Sequence, residues 1–370
     1  MSKSVRALRP SRLATIFVVS GSYLFLCASF ILHADEKASE ALFIVNIGKK
    51  CGYIDQIGAV AIQPKYDDCR DFLESLASVE RYSKWGFSDK EGRIIIEPKF
   101  DESRWSFSEG LAAVSLGKFW GYIDKKGDFI IPPKFDYAQG FSEGRAVVLV
   151  GEKHGIIDKT GILLVPPFDA SGWEFSEGLL PTEQEGKWGF VDLEGNFVIP
   201  PRYHRANDFS EGLAAVEFDD DKNQWGYIDR TGTVAIRARY GNAGEFADGL
   251  AAVSMDFRYG YINKTGELII EPNYETAYAF SDGLALVEKN HKYGFLDRSG
   301  NFVVKPKYDL AFSFSRGLAS VSYGKFRTSG APHKSNVTYE GAWGYIDTRG
   351  IEVWEPASSS ASIAGMPGDK

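Results

Sequence analysis

Aspartate, serine, glutamate, histidine and cysteine are the residues here that could do chemistry, and most recur at fixed spacing. An acidic or amide side chain is followed three positions later by glycine nine times: Asp55/Gly58, Asp89/Gly92, Asp124/Gly127, Asp158/Gly161, Asp192/Gly195, Asp229/Gly232, Asn263/Gly266, Asp297/Gly300 and Asp347/Gly350. A row of aspartates could bind calcium, but the D-x-D-x-D-G spacing of a calcium loop does not occur. Asp at the first position and Gly at the fourth is the chemistry of a type I turn, with Gly in the left-handed bulge position. The turn reading is therefore preferred, and no metal ligand is expected. Phe-Ser-Glu-Gly occurs at 107–110, 141–144, 175–178 and 209–212, with variants at 246–249, 280–283 and 314–317. Serine beside glutamate could suggest a nucleophile, but no histidine sits at a matching position and catalysis would not need seven copies. The Phe reads as core and the Ser-Glu-Gly as a turn. His154, His204, His291 and His333 show no ligand spacing. No Cys–His pair, Ser–His–Asp set, P-loop or dinucleotide fingerprint is present. We expect no catalytic residue, no cofactor and no enzyme.

The elements that carry these residues repeat. A cassette of the type Trp120-Gly121-Tyr122-Ile123-Asp124 begins at residues 51, 85, 120, 154, 188, 225, 259, 293 and 343. A period in this range marks a repeat architecture. The marker pairs are Trp85-Gly86, Trp120-Gly121, Trp188-Gly189, Trp225-Gly226 and Trp343-Gly344; Cys51, His154, Tyr259 and Tyr293 replace the Trp elsewhere. In the third unit, residues 111–114, 120–123 and 129–131 read as three strands, Pro132-Pro133 stops the third, and 134–144 crosses to the next unit. Glycine weakens a strand interior, so nine retained copies require a neighbouring ring or the next unit's backbone where a side chain would be.

The expected fold is all-β, a tandem array of nine three-stranded antiparallel meanders over residues 41–356. Each unit is complete in sequence and both end units are unusual, as caps of an open array should be. Propeller blades are usually four-stranded and often close by sharing strands from both chain ends. An open, curved solenoid is therefore preferred, with a closed β-propeller as the alternative.

Lys84-Trp85-Gly86, Lys187-Trp188-Gly189 and the Phe-Ser-Glu-Gly-Leu-Ala connector resemble the WG (KWG) repeat family. The resemblance implies a bacterial repeat array with no settled enzymatic activity and offers no catalytic residue to carry over.

Cys51 takes the Trp position of the first unit, and Cys69 stands where other units place Ser103, Ala138, Ala206, Ala243, Ala277 and Ala311. Two exceptions in one unit predict that these positions touch and form a disulfide, Cys51–Cys69. The compartment permits it. Lys3, Arg6, Arg9 and Arg12 precede an apolar run from 13 to 32, which reads as a signal peptide over 1–34 or as an uncleaved anchor. Removing its four basic residues takes the formal charge from −8 to −12, a poor match for nucleic acid. An acidic hairpin tip is expected at 219–221, a flexible loop at 326–341 and a disordered tail at 357–370. The function expected is a non-enzymatic exported scaffold for a protein partner in the cell envelope, periplasmic or secreted. The alternative is a glycan- or cell-wall-binding module using repeat aromatics. A membrane enters only if the N-terminal segment stays uncut.

Overall fold

The structure, a computed structural model, describes residues 41–164, 168–172, 174–218, 224–329 and 336–355. The signal segment expected at 1–34, the acidic tip expected at 219–221 and the tail expected at 357–370 lie outside the described residues. All regular structure among the described residues is strand, arranged as nine small antiparallel sheets.

Blade 6 shows the local logic. Its strands are Arg205–Ser210, Leu213–Glu217, Trp225–Asp229 and Val234–Tyr240, hydrogen-bonded in chain order. The first of these comes from the connector, which the sequence reading left as a crossover. Six of the nine sheets gain such a fourth strand, so the unit is larger than the three-stranded meander expected. The prolines do not stop the outer strand either. Phe129–Phe135 runs through Pro132-Pro133 as an irregular stretch that pairs Ile131 with Tyr122 and Phe135 with Trp120. Four outer residues span two inner ones there, and unpaired bulge positions are where proline is tolerated.

That bulge explains the invariant glycine. A Cβ on Gly121 would lie 2.5 Å from the Ile131 carbonyl oxygen and 2.7 Å from the Pro133 nitrogen. Gly52, Gly86, Gly189, Gly226, Gly260 and Gly294 meet the same obstruction at 2.3–2.6 Å. The obstacle is the outer strand of the glycine's own blade, not the next unit.

The array closes into a ring. Tyr345 of blade 9 donates its hydroxyl to the Ile44 carbonyl of blade 1 at 2.9 Å, and its ring packs on Phe43. Ala41, Phe43, Val45 and Ile54 share one apolar cluster with Leu318 and Tyr345. Gln56 donates to the Arg316 carbonyl at 2.7 Å. The molecule is thus a nine-bladed β-propeller, and the preferred solenoid is corrected to its alternative. Completeness of each unit argued for open ends, but no strand has to be shared: blades 1 and 9 close by burying apolar faces that would otherwise meet water. The expected loop at 326–341 is also corrected. Leu318–Ser329 and Asn336–Asp347 pair along their whole length, prolonging the blade 9 hairpin.

Between blades, the motif aromatic of one unit packs on the connector Phe of the next. Tyr53–Phe72, Phe87–Phe107, Tyr122–Phe141, Phe190–Phe209, Tyr227–Phe246, Tyr261–Phe280 and Phe295–Phe314 have ring centroids 4.7–5.1 Å apart. Tilted or edge-on pairs of this kind add about 1 kcal/mol each beyond their buried area. The hydroxyls of Tyr53, Tyr122, Tyr227 and Tyr261 donate to carbonyls 17 residues on, in the following blade.

Candidate interaction surface

The residues that sequence analysis singled out are used in three ways. Trp85, Trp120, Trp225 and Trp343 are buried, and Trp188 is half-buried. The turn aspartates act on their own backbone: Asp297 Oδ1 accepts N–H bonds from Ser299 and Asn301, both at 2.9 Å. The Asn301 backbone bond above all holds the Asp297 carboxyl below its ordinary range, and the Thr160 hydroxyl does so for Asp158. Cys51 and Cys69 are joined as expected, with Cα atoms 6.1 Å apart. Cys69 lies in the first strand of blade 2, so the bridge spans two blades rather than reinforcing one.

The Phe-Ser-Glu-Gly turns form a belt on one face. Each Ser hydroxyl reaches the next copy, as Ser108 to the Phe141 carbonyl at 2.6 Å and Ser176 to the Phe209 carbonyl at 2.6 Å. Each Glu accepts the next copy's glycine N–H: Gly110 to Glu74, Gly144 to Glu109 and Gly212 to Glu177, all at 3.0 Å. The carboxylates are also met by a lysine of the same adjoining blade, Glu74 by Lys125 and Glu109 by Lys159, both at 3.1 Å. Serine and glutamate are therefore joints between blades. The last copy carries Arg316 in place of Glu, and its guanidinium reaches Asp71 at 3.5 Å and the Phe72 carbonyl at 3.4 Å, fastening the closing junction.

The opposite face is made of the hairpin tips that lead into each strand carrying the motif glycine, such as residues 48–49 and 117–118. At several junctions a carboxylate bridges the two tips, whereas His204 and Gly241 stand at that position in two others. Asp67 accepts from Lys50 of blade 1 at 2.8 Å and from the Tyr82 N–H of blade 2 at 2.9 Å. Asp101 repeats this with Lys84 at 2.5 Å and Gly117 N–H at 2.7 Å, and Asp309 with Lys292 at 2.5 Å and Gly324 N–H at 3.0 Å. Exposed ion pairs contribute little alone, but a carboxylate bonded to a backbone N–H fixes the loop it touches.

Two tips stand out. Two-residue hairpin turns need positive φ, and Gly48, Gly117 and Gly151 meet that need at three tips. Blade 2 instead places Tyr82 at φ 53°, and blade 7 places Phe257 at φ 63°. A bulky side chain in that region costs about 1–2 kcal/mol. Both rings are also almost wholly in water, Tyr82 at 93% exposure and Phe257 at 96%. Ile47, Leu116, Phe119 and Val150 add partly exposed apolar groups on other tips. Sequence reasoning missed these residues. The signal was there, as aromatics where a Gly or Asn belongs, but it shows only once the tip is located.

Two further arrangements complete the surface. His154, at a Trp position, bonds the Ser171 hydroxyl at 2.9 Å, and burial lowers its pKa. Glu275, Glu288 and His291 offer ligand atoms within 4.8 Å of one another. Glu275 already holds Arg258 at 2.5 Å and Glu288 holds the Thr276 hydroxyl at 2.9 Å. Beside them is a shallow depression lined by Lys289, Asn290, Lys292, Phe302, Lys305 and Pro306.

Residues 52–85, 85–118, 120–153, 188–221, 225–256, 259–293 and 293–325 match the family described as WG containing repeat. No curated protein matches the sequence. In fold, the chain is similar to a crystal structure of the eukaryotic initiation factor, with a TM-score of 0.58 and 11% identity over 87% of this chain and 97% of that one. It is more remotely similar to a quinonprotein alcohol dehydrogenase-like protein from Bacteroides thetaiotaomicron, at TM-score 0.40 and 10% identity over 90% and 78%. Hsv2p from Kluyveromyces lactis follows, at TM-score 0.39 and 10% identity over 65% and 97%. Identities this low speak to the fold alone.

Proposed function

Because the chain belongs to the WG-repeat family, we propose that it is a non-enzymatic exported scaffold that engages a protein partner in the cell envelope through its hairpin-tip face. One observation carries this reading: Tyr82 and Phe257 hold strained backbone and full exposure together, which folding alone does not reward. Exposed Tyr and Phe rings on fixed loops are typical anchors of protein interfaces. The carboxylate bridge at Asp67 holds the Tyr82 tip in place before any partner arrives, which limits the entropy lost on binding. The disulfide is compatible with export. The motif indoles lie largely in the core, so the glycan alternative would rest on the same few tip rings.

Photo-crosslinking residues placed at positions 82 and 257 in the native host test the proposal. The expected result is one discrete protein adduct shared by both positions, with the complex lost in the Tyr82→Ser, Phe257→Ser double variant. Retention of the folded protein on purified cell-wall glycan, with no protein adduct at either position, would overturn it.

A further inference from the structure

The residue just before each connector Phe faces the same choice in every repeat. It is Asp71, Ser106, Gly140, Glu174, Asp208, Glu245, Ala279 and Ser313 in order. Three consecutive blades therefore place a carboxyl group at one structural position. Their backbones are laced together beside these residues: Ser176 donates to the Phe209 carbonyl at 2.6 Å, Ser210 to the Phe246 carbonyl at 2.7 Å, and Asn207 to the Ala243 carbonyl at 3.2 Å. The strands Arg205–Ser210 and Asn242–Ala247 pack side by side, as first strands of adjoining blades.

Asp208 is the anomaly. Its Oδ1 is shut off from solvent and has no hydrogen-bond partner. A buried, unpaired carboxylate oxygen is among the least favourable states a folded protein holds. Gly172 lies against it: a Cβ there would come within 2.9 Å of the Pro181 side chain and 3.2 Å of that oxygen, so only a residue without a side chain fits. Burial, reinforced by Glu245 and Glu174, drives the Asp208 pKa well up, and burial with Glu245 pushes Glu174 up to about 7. Tyr227 also adjoins Glu245, but its hydroxyl is committed to the Gly244 carbonyl at 2.8 Å. Glu174 is only half-buried, which leaves the trio a way in from solvent.

The chain itself shows what satisfies a carboxylate at this position. Asp71, the fourth acid of the series, is met by the Arg316 guanidinium at 3.5 Å. A bare divalent ion fits less well. Such an ion draws its ligand atoms to one point, and among the described residues the trio gathered within 4.8 Å is Glu275, Glu288 and His291. A planar or elongated cation with several N–H donors can reach carboxylates set wider apart.

We propose that Glu174, Asp208 and Glu245 form a binding site for a small organic cation, one that presents a guanidinium or primary ammonium group to Asp208. The donor satisfies Oδ1, and the positive charge offsets three neighbouring carboxylates. This site is independent of the hairpin-tip surface, and neither depends on the other.

Calorimetric titration of the full chain at mildly alkaline pH tests it, with agmatine and spermidine as probes and calcium chloride in parallel. Agmatine or spermidine should bind the unmodified protein. Asp208→Asn and Glu174→Gln should each weaken that binding by about tenfold or more, the usual loss when a charged hydrogen-bond partner is removed. Without ligand, Asp208→Asn should raise the melting temperature, because a buried acid crowded by Glu174 and Glu245 has gone. Glu174→Gln, at a half-buried site, provides a second variant should Asp208→Asn fail to fold. No heat with either amine, binding unaffected by both substitutions, or a calcium response in place of the amine response would overturn the proposal.

Discussion

The Tyr345 hydroxyl donates to the Ile44 carbonyl at 2.9 Å across 301 positions of sequence. In blades 1, 3, 6 and 7 the equivalent tyrosine reaches only 17 residues ahead. The same side chain that joins neighbours along the chain thus joins its two ends. Ring closure needs no new device, only reuse of the repeat's own contacts.

Removing that hydroxyl should loosen the closing junction without disturbing the other eight. Tyr345→Phe keeps the ring against Phe43 but leaves a buried carbonyl unpaired, a loss of about 1–3 kcal/mol. Urea unfolding should show a lower midpoint, and hydrogen exchange should rise first in blades 1 and 9.

The disulfide should act on the junction of blades 1 and 2. It closes a loop with a separation of 18 residues, for which chain entropy suggests about 3 kcal/mol. A Cys51→Ala, Cys69→Ala double variant should unfold at lower denaturant, and reductant should no longer change its stability.

Glycines of two kinds should respond differently. A Cβ on Gly121 meets the Ile131 carbonyl oxygen at 2.5 Å, whereas at Gly117 nothing lies within 4 Å and only φ, at 68°, is unfavourable. Gly117→Ala should cost about 1–2 kcal/mol. Gly121→Ala should cost more than about 3 kcal/mol, because backbone must move. Trp120→Ala, deleting a buried indole, should fall in the range of about 3–5 kcal/mol.

These contrasts show what the sequence carried. The period, the strand type, the turn role of Asp297 and the Cys51–Cys69 bond follow from local patterns, and each was legible. The fourth strand was not, because residues such as Arg205–Ser210 owe their strand state to the Leu213–Glu217 edge rather than to their own alternation. Closure was not legible either. It depends on the angle between successive blades, a quantity spread over the packing of pairs such as Tyr227 and Phe246. The tip rings of Tyr82 and Phe257 look like core in composition, and only the register of their hairpins puts them in water.

Stability should peak at mildly acidic pH. The folded pKa of Glu174, about 7, lies above its ordinary 4.5. As pH rises through that window, the unfolded chain releases a proton that the folded chain retains, so stability falls. Asp158 and Asp297 work in the opposite sense: their lowered pKa values mean that stability is lost as pH drops below about 3.8. Urea midpoints should therefore decline between about pH 4.5 and about pH 7, and Glu174→Gln should flatten that decline.

The central claim is that nine WG units close into a ring. The most direct measurement is a pulsed electron-spin distance between nitroxides placed by bioorthogonal labelling at Ile57 and Ile351, two exposed residues flanking the contact of Gly58 with Val353. A closed ring predicts one short, narrow distance that lengthens and broadens only on unfolding. A long distance in the native protein, with blades 1 and 9 far apart, would contradict it.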